Sequence, residues 1–372
     1  MWVCVKELTP YQQVMGWRNR EGFQGIYAMS DRIRIGLVGL KFGVFHLRTL
    51  LQEPQFSVVG LADRHPESPS ATQARALAPE ATYYTNGEEL IAAGGLDALC
   101  LSTSPAHRAP LLKAAVATGI PVFVEKPWAA DPDSGEELVQ FIREHNGRVM
   151  LGFSFRFHPA ITRLRQLLDS DLGAPWMLNG EYAFEHPVPP GSWLWDPLAG
   201  GGFFNENSCH LVDAVCHLMG PPVAVSATTA NPRSAPGPEL AALTLSFAEG
   251  GIAALTLGAA AAPGLEDFPR IDLVTAAGQA RLRGRHHIWE SLTWALRKGG
   301  ESQNFHTPAE RLGTTRYTHA WRHFADCLRQ GNAFAATPEE GQRAVRVIHA
   351  LQEAARQNTT ISLHPPINQQ EP

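Results

Sequence analysis

The order strand, glycine turn, helix, strand, acid at residues 33–63 restricts this chain more than any other feature. Ile33 to Val38 is a short apolar run of the kind buried in a parallel sheet. Gly39-Leu40-Lys41-Phe42-Gly43-Val44 reads as a turn, Phe45 to Gln52 as a helix, and Val58 to Ala62 as a second buried strand ending at Asp63. This is the order of a dinucleotide-binding βαβ unit, in which the glycine turn admits a pyrophosphate and an acid about 20 residues on meets the ribose hydroxyls. Asp63 stands 24 residues after Gly39. The glycine pattern is imperfect, with Lys41 in place of the middle glycine and Val44 in place of the last. A lysine there either turns its stem away or meets phosphate with its own charge.

Repetition strengthens the reading. Leu96 to Thr103 is a strand ending in small hydroxyls, Pro110 to Thr118 a helix stopped by Gly119, and Ile120 to Val124 the next strand. Asp133 to His145 has Leu138, Phe141 and Ile142 at helical spacing, and Arg148 to Phe153 is a further strand. Strands alternating with helices over about 120 residues imply a doubly wound parallel sheet. After Phe155 the texture changes. Pro159 to Leu168 reads as a helix, whereas Trp176 to Phe184, Val223 to Thr229, Leu243 to Phe247, Ile252 to Leu257 and Ile271 to Thr275 alternate like half-buried strands. Ala248-Glu249-Gly250-Gly251 joins two of them as a hairpin. Thr337-Pro338-Glu339-Glu340 is a capping box opening a helix with Ala344, Val347, Ile348, Leu351 and Ala355 on one face.

The fold class is therefore α/β: a doubly wound parallel sheet followed by an α+β domain with an open, mainly antiparallel sheet. The expected division is an extension over 1–30, a dinucleotide domain over 31–152, a substrate and oligomerisation domain over 153–364, and a tail over 365–372. Met29, just before the first strand, reads as the natural start, with the charged segment before it a loose arm or an upstream read. The net charge of -5, with no long basic run, argues against nucleic acid as a partner. No apolar stretch is long enough for a membrane span, and five scattered cysteines without a Cys-x-x-Cys fit a reducing, cytoplasmic setting.

Val122-Phe123-Val124-Glu125-Lys126-Pro127 brings an apolar strand to an abrupt stop, since proline cannot continue the ladder. Glu125 and Lys126 are thereby left at the carboxyl edge of the sheet, where open α/β folds hold their ligands. A lysine there polarises a hydroxyl or carbonyl; the plainer alternative is a solvated ion pair.

In order along the chain stand the glycine turn, Asp63, Ser102-Thr103, Glu125-Lys126-Pro127, Gly152 to Pro159, and Gly200-Gly201-Gly202-x3-Glu206-x3-His210-x2-Asp213. This ordered set resembles the glucose-fructose oxidoreductase, inositol dehydrogenase and rhizopine-catabolism (Gfo/Idh/MocA) family over about residues 32–360. The resemblance implies an NAD(P)-dependent oxidoreductase acting on a hydroxyl of a sugar, sugar acid or cyclitol, and a homodimer or homotetramer built on the open sheet. It implies catalytic roles for Lys126 and His210, assisted by Glu206, and a place beside the nicotinamide for Arg156. Cofactor contacts are expected at Gly39, Lys41, Phe42, Gly43, Asp63, Arg64, Ser102, Thr103, His107, Glu125, Lys126 and Arg156. Where the family usually has its second histidine this chain has Arg108, with His107 beside it.

The chemistry suits these residue types. Oxidising a carbinol removes the hydroxyl proton as hydride leaves carbon, a transfer for which histidine is well matched, and an ammonium holds the same oxygen. Trp193 and Trp195 are expected to wall the polyhydroxy substrate, with Asn205, Glu206 and His210 binding it, and Asp196 and His186 as further hydroxyl contacts. The alternative for Trp193, Trp195, Phe203 and Phe204 is ordinary core. Glu206, His210, Asp213 and His217 would line one face of a continuous helix and bind zinc; the glycines and asparagines around them favour a loop instead, and no metal is expected. His286-His287 reads as a solvated turn. Asp63 favours NAD by repelling a 2′-phosphate, while Arg64 and His65 would accommodate one and keep NADP open. Two rival functions share the fold, a sensor that binds dinucleotide without turnover and an NAD-dependent glycosidase.

Overall fold

Unalternating apolar runs form one sheet of the molecule and alternating runs form the other. The computed structural model describes residues 32–196, 199–262, 268–307 and 315–363. The expected extension, the start at Met29 and the tail lie outside the described residues.

The first sheet is built from β1 (Ile33–Val38), α1 (Leu40–Gln52), β2 (Phe56–Ala62), α2 (Pro69–Leu77), β3 (Thr82–Tyr84), α3 (Gly87–Ala92), β4 (Ala98–Leu101), α4 (Pro105–Ala117), β5 (Val122–Val124), α5 (Pro132–Glu144) and β6 (Val149–Leu151). Its strands are all parallel in the order β3-β2-β1-β4-β5-β6. The order reverses between β1 and β4, and the crevice at that switch is where such sheets receive ligands. Strands β4, β5 and β6 are buried along their whole length, as their continuous apolar sequences require.

Two helices begin earlier than their sequences suggest. Helix α1 starts at Leu40, so Lys41, Phe42 and Gly43 lie in its first turn and Gly39 alone makes the corner. Helix α4 opens with Pro105, a position whose missing N–H needs no partner, and carries Pro110 inside.

The chain then passes through α6 (Pro159–Leu167), β7 (Pro175–Ala183) and α7 (Cys209–Met219) to β8 (Pro222–Ala230), β9 (Leu240–Phe247), β10 (Ile252–Gly258), β11 (Arg270–Thr275), β12 (Gly278–Arg285), β13 (Ile288–Leu296) and β14 (Ser302–His306). Helices α8 (Thr315–Gln330) and α9 (Pro338–Gln357) and strand β15 (Ile361–Ser362) complete the described chain. The second sheet runs β14-β13-β12-β11-β7-β10-β9-β8-β15, with only the β7–β10 pair parallel. Strands β9 and β10 alternate buried and exposed residues. One face therefore packs on helices, and the other presents Ala242, Thr244, Ala254 and Thr256 to solvent.

The last helices return to the first sheet. Trp321 of α8 stacks on Phe123 of β5 at 4.1 Å between ring centroids. Leu151 of β6 donates its N–H to the Ala336 carbonyl, and Gln342 of α9 donates to the Pro132 carbonyl. The capping box forms as its spacing predicts: Thr337 Oγ1 accepts from Glu340 N and Glu340 Oε2 from Thr337 N. No helix among the described residues is long and apolar enough to cross a membrane.

Candidate active site

The corner at Gly39 is sterically compulsory. Its φ is +86°, and a Cβ there would stand 2.9 Å from the Ser102 carbonyl and the Thr103 nitrogen. Only glycine allows the start of α1 to approach the end of β4 this closely. Gly43 is under no such demand, since its Cβ would meet neighbours at 3.8 Å or more. Lys41 is exposed, its side chain turned to solvent, so the missing middle glycine leaves the corner unobstructed. Asp63 follows β2 with Oδ2 accepting from Leu40 N at 2.7 Å and Oδ1 from His65 N at 2.9 Å. Arg64 and His65 are exposed beside it. Ser102 is half-buried at the same corner, and Thr103 Oγ1 is a buried hydroxyl without a hydrogen-bond partner among the described residues.

Lys126 follows β5 and reaches across to the chain that opens α7. Its ammonium donates to Glu206 Oε1 at 2.6 Å and to the Glu206 carbonyl at 3.0 Å. The two side chains are 10% and 22% exposed, so the pair is shielded but open to a ligand. Burial works against the ammonium, yet Glu206 outweighs it and holds the lysine above its ordinary range. Lys126 is therefore a fixed positive donor. Glu206 lies in a wide π turn, Phe204–Ser208, that runs into α7, and His210 follows in the first turn of that helix. The His210 ring is buried and stacked on Phe155, with centroids 5.0 Å apart. Burial pushes the neighbouring Cys209 thiol up to about 12, so it stays protonated at neutral pH.

The glycine triplet brings this turn to Lys126. Gly201 has φ +70°, and a Cβ on it would come within 2.4 Å of the Ala130 carbonyl. Asn205 Nδ2 donates to the Ala129 and Gly200 carbonyls at 2.8 and 3.1 Å. Asn205 is a buried clamp through its amide nitrogen, and its amide oxygen has no hydrogen-bond partner among the described residues. Trp193 is a surface ring, 40% exposed. Trp195 is half-buried and donates its indole N–H to the Pro189 carbonyl at 3.1 Å. Phe203 and Phe204 are core.

Several other expected contact residues already have partners within the chain. Arg156, expected beside the nicotinamide, is bound on two sides, through Nε and Nη2 to Asp213 at 2.8 and 2.5 Å and through Nη1 to Glu340 at 2.5 Å. Its side chain is 2% exposed, so it ties α7 to α9 and is withdrawn from any ligand. Glu125, expected at the cofactor, is buried, with Oε1 on His46 Nε2 at 2.8 Å and Oε2 accepting from Lys126 N at 3.1 Å. His107 is exposed, paired with Ser104 Oγ at 2.9 Å. Phe42 packs on Phe45, His46 and Tyr317. The zinc row is divided, because Glu206 answers to Lys126 and Asp213 to Arg156. His186 is half-buried against Phe184 and Phe203. His286-His287 makes the turn of the β12–β13 hairpin with both φ values positive, but only His286 faces solvent; the His287 ring packs on Tyr182, Phe184 and Phe268.

Three residues that shape the site escape sequence reading. Arg108 is buried, donating to the Pro127, Trp128 and Thr103 carbonyls, and so fastens the end of β4 to the corner after Lys126. Burial lowers its guanidinium to about 10, with Glu125 opposing, which leaves it charged at neutral pH. The signal was its place at the family's second histidine. His46 and Trp321, described below, gave none.

Comparison with known proteins places this architecture. The profile described as "Oxidoreductase family, NAD-binding Rossmann fold" (Gfo/Idh/MocA) matches residues 33–153, and that of the Gfo/Idh/MocA C-terminal domain matches residues 161–281. Among curated relatives, D-xylose 1-dehydrogenase (NADP(+)) 2 of Haloferax volcanii is 28% identical over 199 residues, 54% of this chain and 60% of its own. Inositol 2-dehydrogenase of Agrobacterium fabrum is 31% identical over 206 residues, 55% of this chain and 59% of its own. The chain thus spans about three-fifths of the length of these relatives. A crystal structure of an oxidoreductase from Agrobacterium radiobacter, in complex with NAD+, L-tartaric acid and magnesium, superposes with a TM-score of 0.77 at 17% identity, covering 89% of this chain and 98% of that one. At that identity the likeness is one of fold.

Proposed function

The chain belongs to the Gfo/Idh/MocA family of oxidoreductases, and on that footing we propose that it is an NAD(P)-dependent dehydrogenase for a secondary hydroxyl of a sugar, sugar acid or cyclitol. The observation that carries the proposal is the Lys126–Glu206 pair at the carboxyl edge of the parallel sheet, in the turn just before His210. Residues 31–152 form the cofactor half in this reading, and residues 153–364 the substrate and assembly half.

The residues present fit a dinucleotide. A Cβ at position 39 would fill the gap between α1 and β4, and the buried Thr103 hydroxyl awaits a partner there. Gly39 and the first amides of α1 would receive the pyrophosphate, as helix N-termini do, while Asp63 would take the ribose hydroxyls. Asp63 favours NAD over NADP by charge. When bound, the nicotinamide supplies the acceptor for the substrate's hydride.

Lys126 orients the substrate hydroxyl and stabilises negative charge on its oxygen, which a permanently charged donor can do without taking up a proton itself. His210, fixed by Phe155, receives the hydroxyl proton. Glu206 keeps Lys126 charged and accepts a hydrogen bond from an adjacent substrate hydroxyl. A second copy of the chain would cover the open face of the second sheet, giving a homodimer or homotetramer. The test is NADH formation at neutral pH with a panel of polyols, aldoses and sugar acids. Turnover that depends on Lys126 and His210 supports the reading; dinucleotide binding without turnover across the panel overturns it.

A further inference from the structure

We propose that His46 and Trp321 are positioning residues for Lys126, acting through Glu125; the inference rests on the role just assigned to Lys126. The Trp321 indole donates to His46 Nδ1 at 3.1 Å, and His46 Nε2 lies 2.8 Å from Glu125 Oε1. An indole N–H can only donate, so Nδ1 is the acceptor and the ring proton sits on Nε2, directed at the carboxylate. The other Glu125 oxygen accepts from the Lys126 backbone N–H at 3.1 Å. The Glu125 N–H itself is held by the Leu101 carbonyl of β4 at 2.8 Å.

This line joins three elements that sequence separates widely: α1, the end of β5 and α8. His46 and Trp321 are fully buried and Glu125 is 4% exposed. Rings close the space around it, with His46 edge-on to Phe123, Tyr317 and Trp321. A buried carboxylate is costly unless its hydrogen bonds are met, and here its donors also set where the backbone of Lys126 lies. Because His46 is on the helix that begins at Gly39, the same line fixes that helix against the strand end bearing the ammonium. The arrangement sets the spacing between the cofactor's phosphate site and the group that orients the substrate. A displacement of about 1 Å at such a group lowers turnover on the order of 10²-fold.

Three variants of the full chain test this: His46→Leu, which keeps bulk and removes both polar functions; His46→Gln, whose amide restores a donor and an acceptor; and Trp321→Phe, which keeps a ring and removes the N–H. His46→Leu is expected to lower kcat on the order of 10²-fold with KM unchanged, Trp321→Phe to lower it less, and His46→Gln to recover most of the loss. A readout without turnover accompanies it: acetylation of Lys126 by acetic anhydride, followed by peptide mass spectrometry, speeds up in His46→Leu and not in His46→Gln. Normal kcat and an unchanged acetylation rate in a folded His46→Leu overturn the inference, as does a His46→Gln that behaves like His46→Leu. Lys126→Ala run in parallel separates the two levels. If it is inactive while His46→Leu is normal, only the positioning role falls; if it is fully active, the catalytic reading falls and takes this inference with it.

Discussion

Two cation–carboxylate contacts, Lys126–Glu206 between the two halves of the molecule and Arg156–Asp213 at the seam of α7 within the second half, differ in what is left over. At the mouth of the parallel sheet, Lys126 meets one carboxylate and one carbonyl of Glu206, and the acid remains 22% exposed. At the seam behind it, Arg156 meets two carboxylates and the Ala335 carbonyl, with the side chains of Arg156 and Asp213 at 2% and 1% exposure. The sequence offered both cations as site residues. A cation that is itself sealed in and gripped through two nitrogens by a fully buried carboxylate holds structure together, even though its other partner, Glu340, is 23% exposed. Lys126, by contrast, 10% exposed on a single part-exposed carboxylate, can exchange that partner for substrate.

The comparison can be broken at the seam first. Arg156→Ala leaves Asp213 buried without its bidentate partner and should cost about 3–5 kcal/mol of stability, read by urea denaturation. Replacing the pair together, Arg156→Met with Asp213→Leu, should recover much of that loss. If Arg156→Ala instead keeps full stability and loses dinucleotide affinity, the seam belongs to the site after all. At the mouth the expectation inverts. Lys126→Ala should lower kcat by about 10²–10³-fold, the scale of one lost oxyanion donor, with little change in denaturation midpoint, because Glu206 is left facing solvent.

Glu206→Gln sharpens the same contrast by charge alone. Burial disfavours the Lys126 ammonium and Glu206 opposes that effect. With the carboxylate gone, burial prevails and the lysine pKa falls. The charged, donating form is then lost at lower pH, so the alkaline limb of the kcat/KM profile should move downward in pH. At neutral pH the loss should be about tenfold, comparable to one charge-assisted hydrogen bond. A profile identical to the parent's would mean that Glu206 does not support the ammonium.

The difference between mouth and seam also marks what a sequence can disclose. Lys126 was legible because the apolar run before it and Pro127 after it fix a strand end, and strand ends in a parallel sheet face the ligand crevice. Asp63 and Gly39 were legible for the same reason, as local pattern dictates their place. Arg156 carried a motif but not its partners: Asp213 is 57 residues away and Glu340 184, and nothing in periodicity brings them together. His46 was hidden differently, since a histidine in the middle of a helix resembles any other until Trp321, 275 residues on, is seen to bond it. Strand β14 went unread because its residues are nearly all polar and exposed, and β13 because its buried positions do not alternate strictly. The fold follows from local repetition, whereas the identity of each charge's partner is a tertiary fact.

The smallest expected effect lies at the seam's outer edge, where local and tertiary signals coincide. Glu340 serves two masters: Oε2 accepts from Thr337 N at 2.8 Å to complete the capping box, and Oε1 accepts from Arg156 at 2.5 Å. Thr337→Ala removes only the hydroxyl that caps Glu340 N. It should cost about 0.5–2 kcal/mol, the ordinary range for a lost N-cap, with catalysis untouched because the Glu340 carboxylate keeps both its bonds. If α9 does more than cover the first sheet, and its first turn governs how tightly Arg156 holds Asp213, then Thr337→Ala and Arg156→Ala will not add in the double variant. Additive losses in urea denaturation would show the cap and the buried pair to be independent.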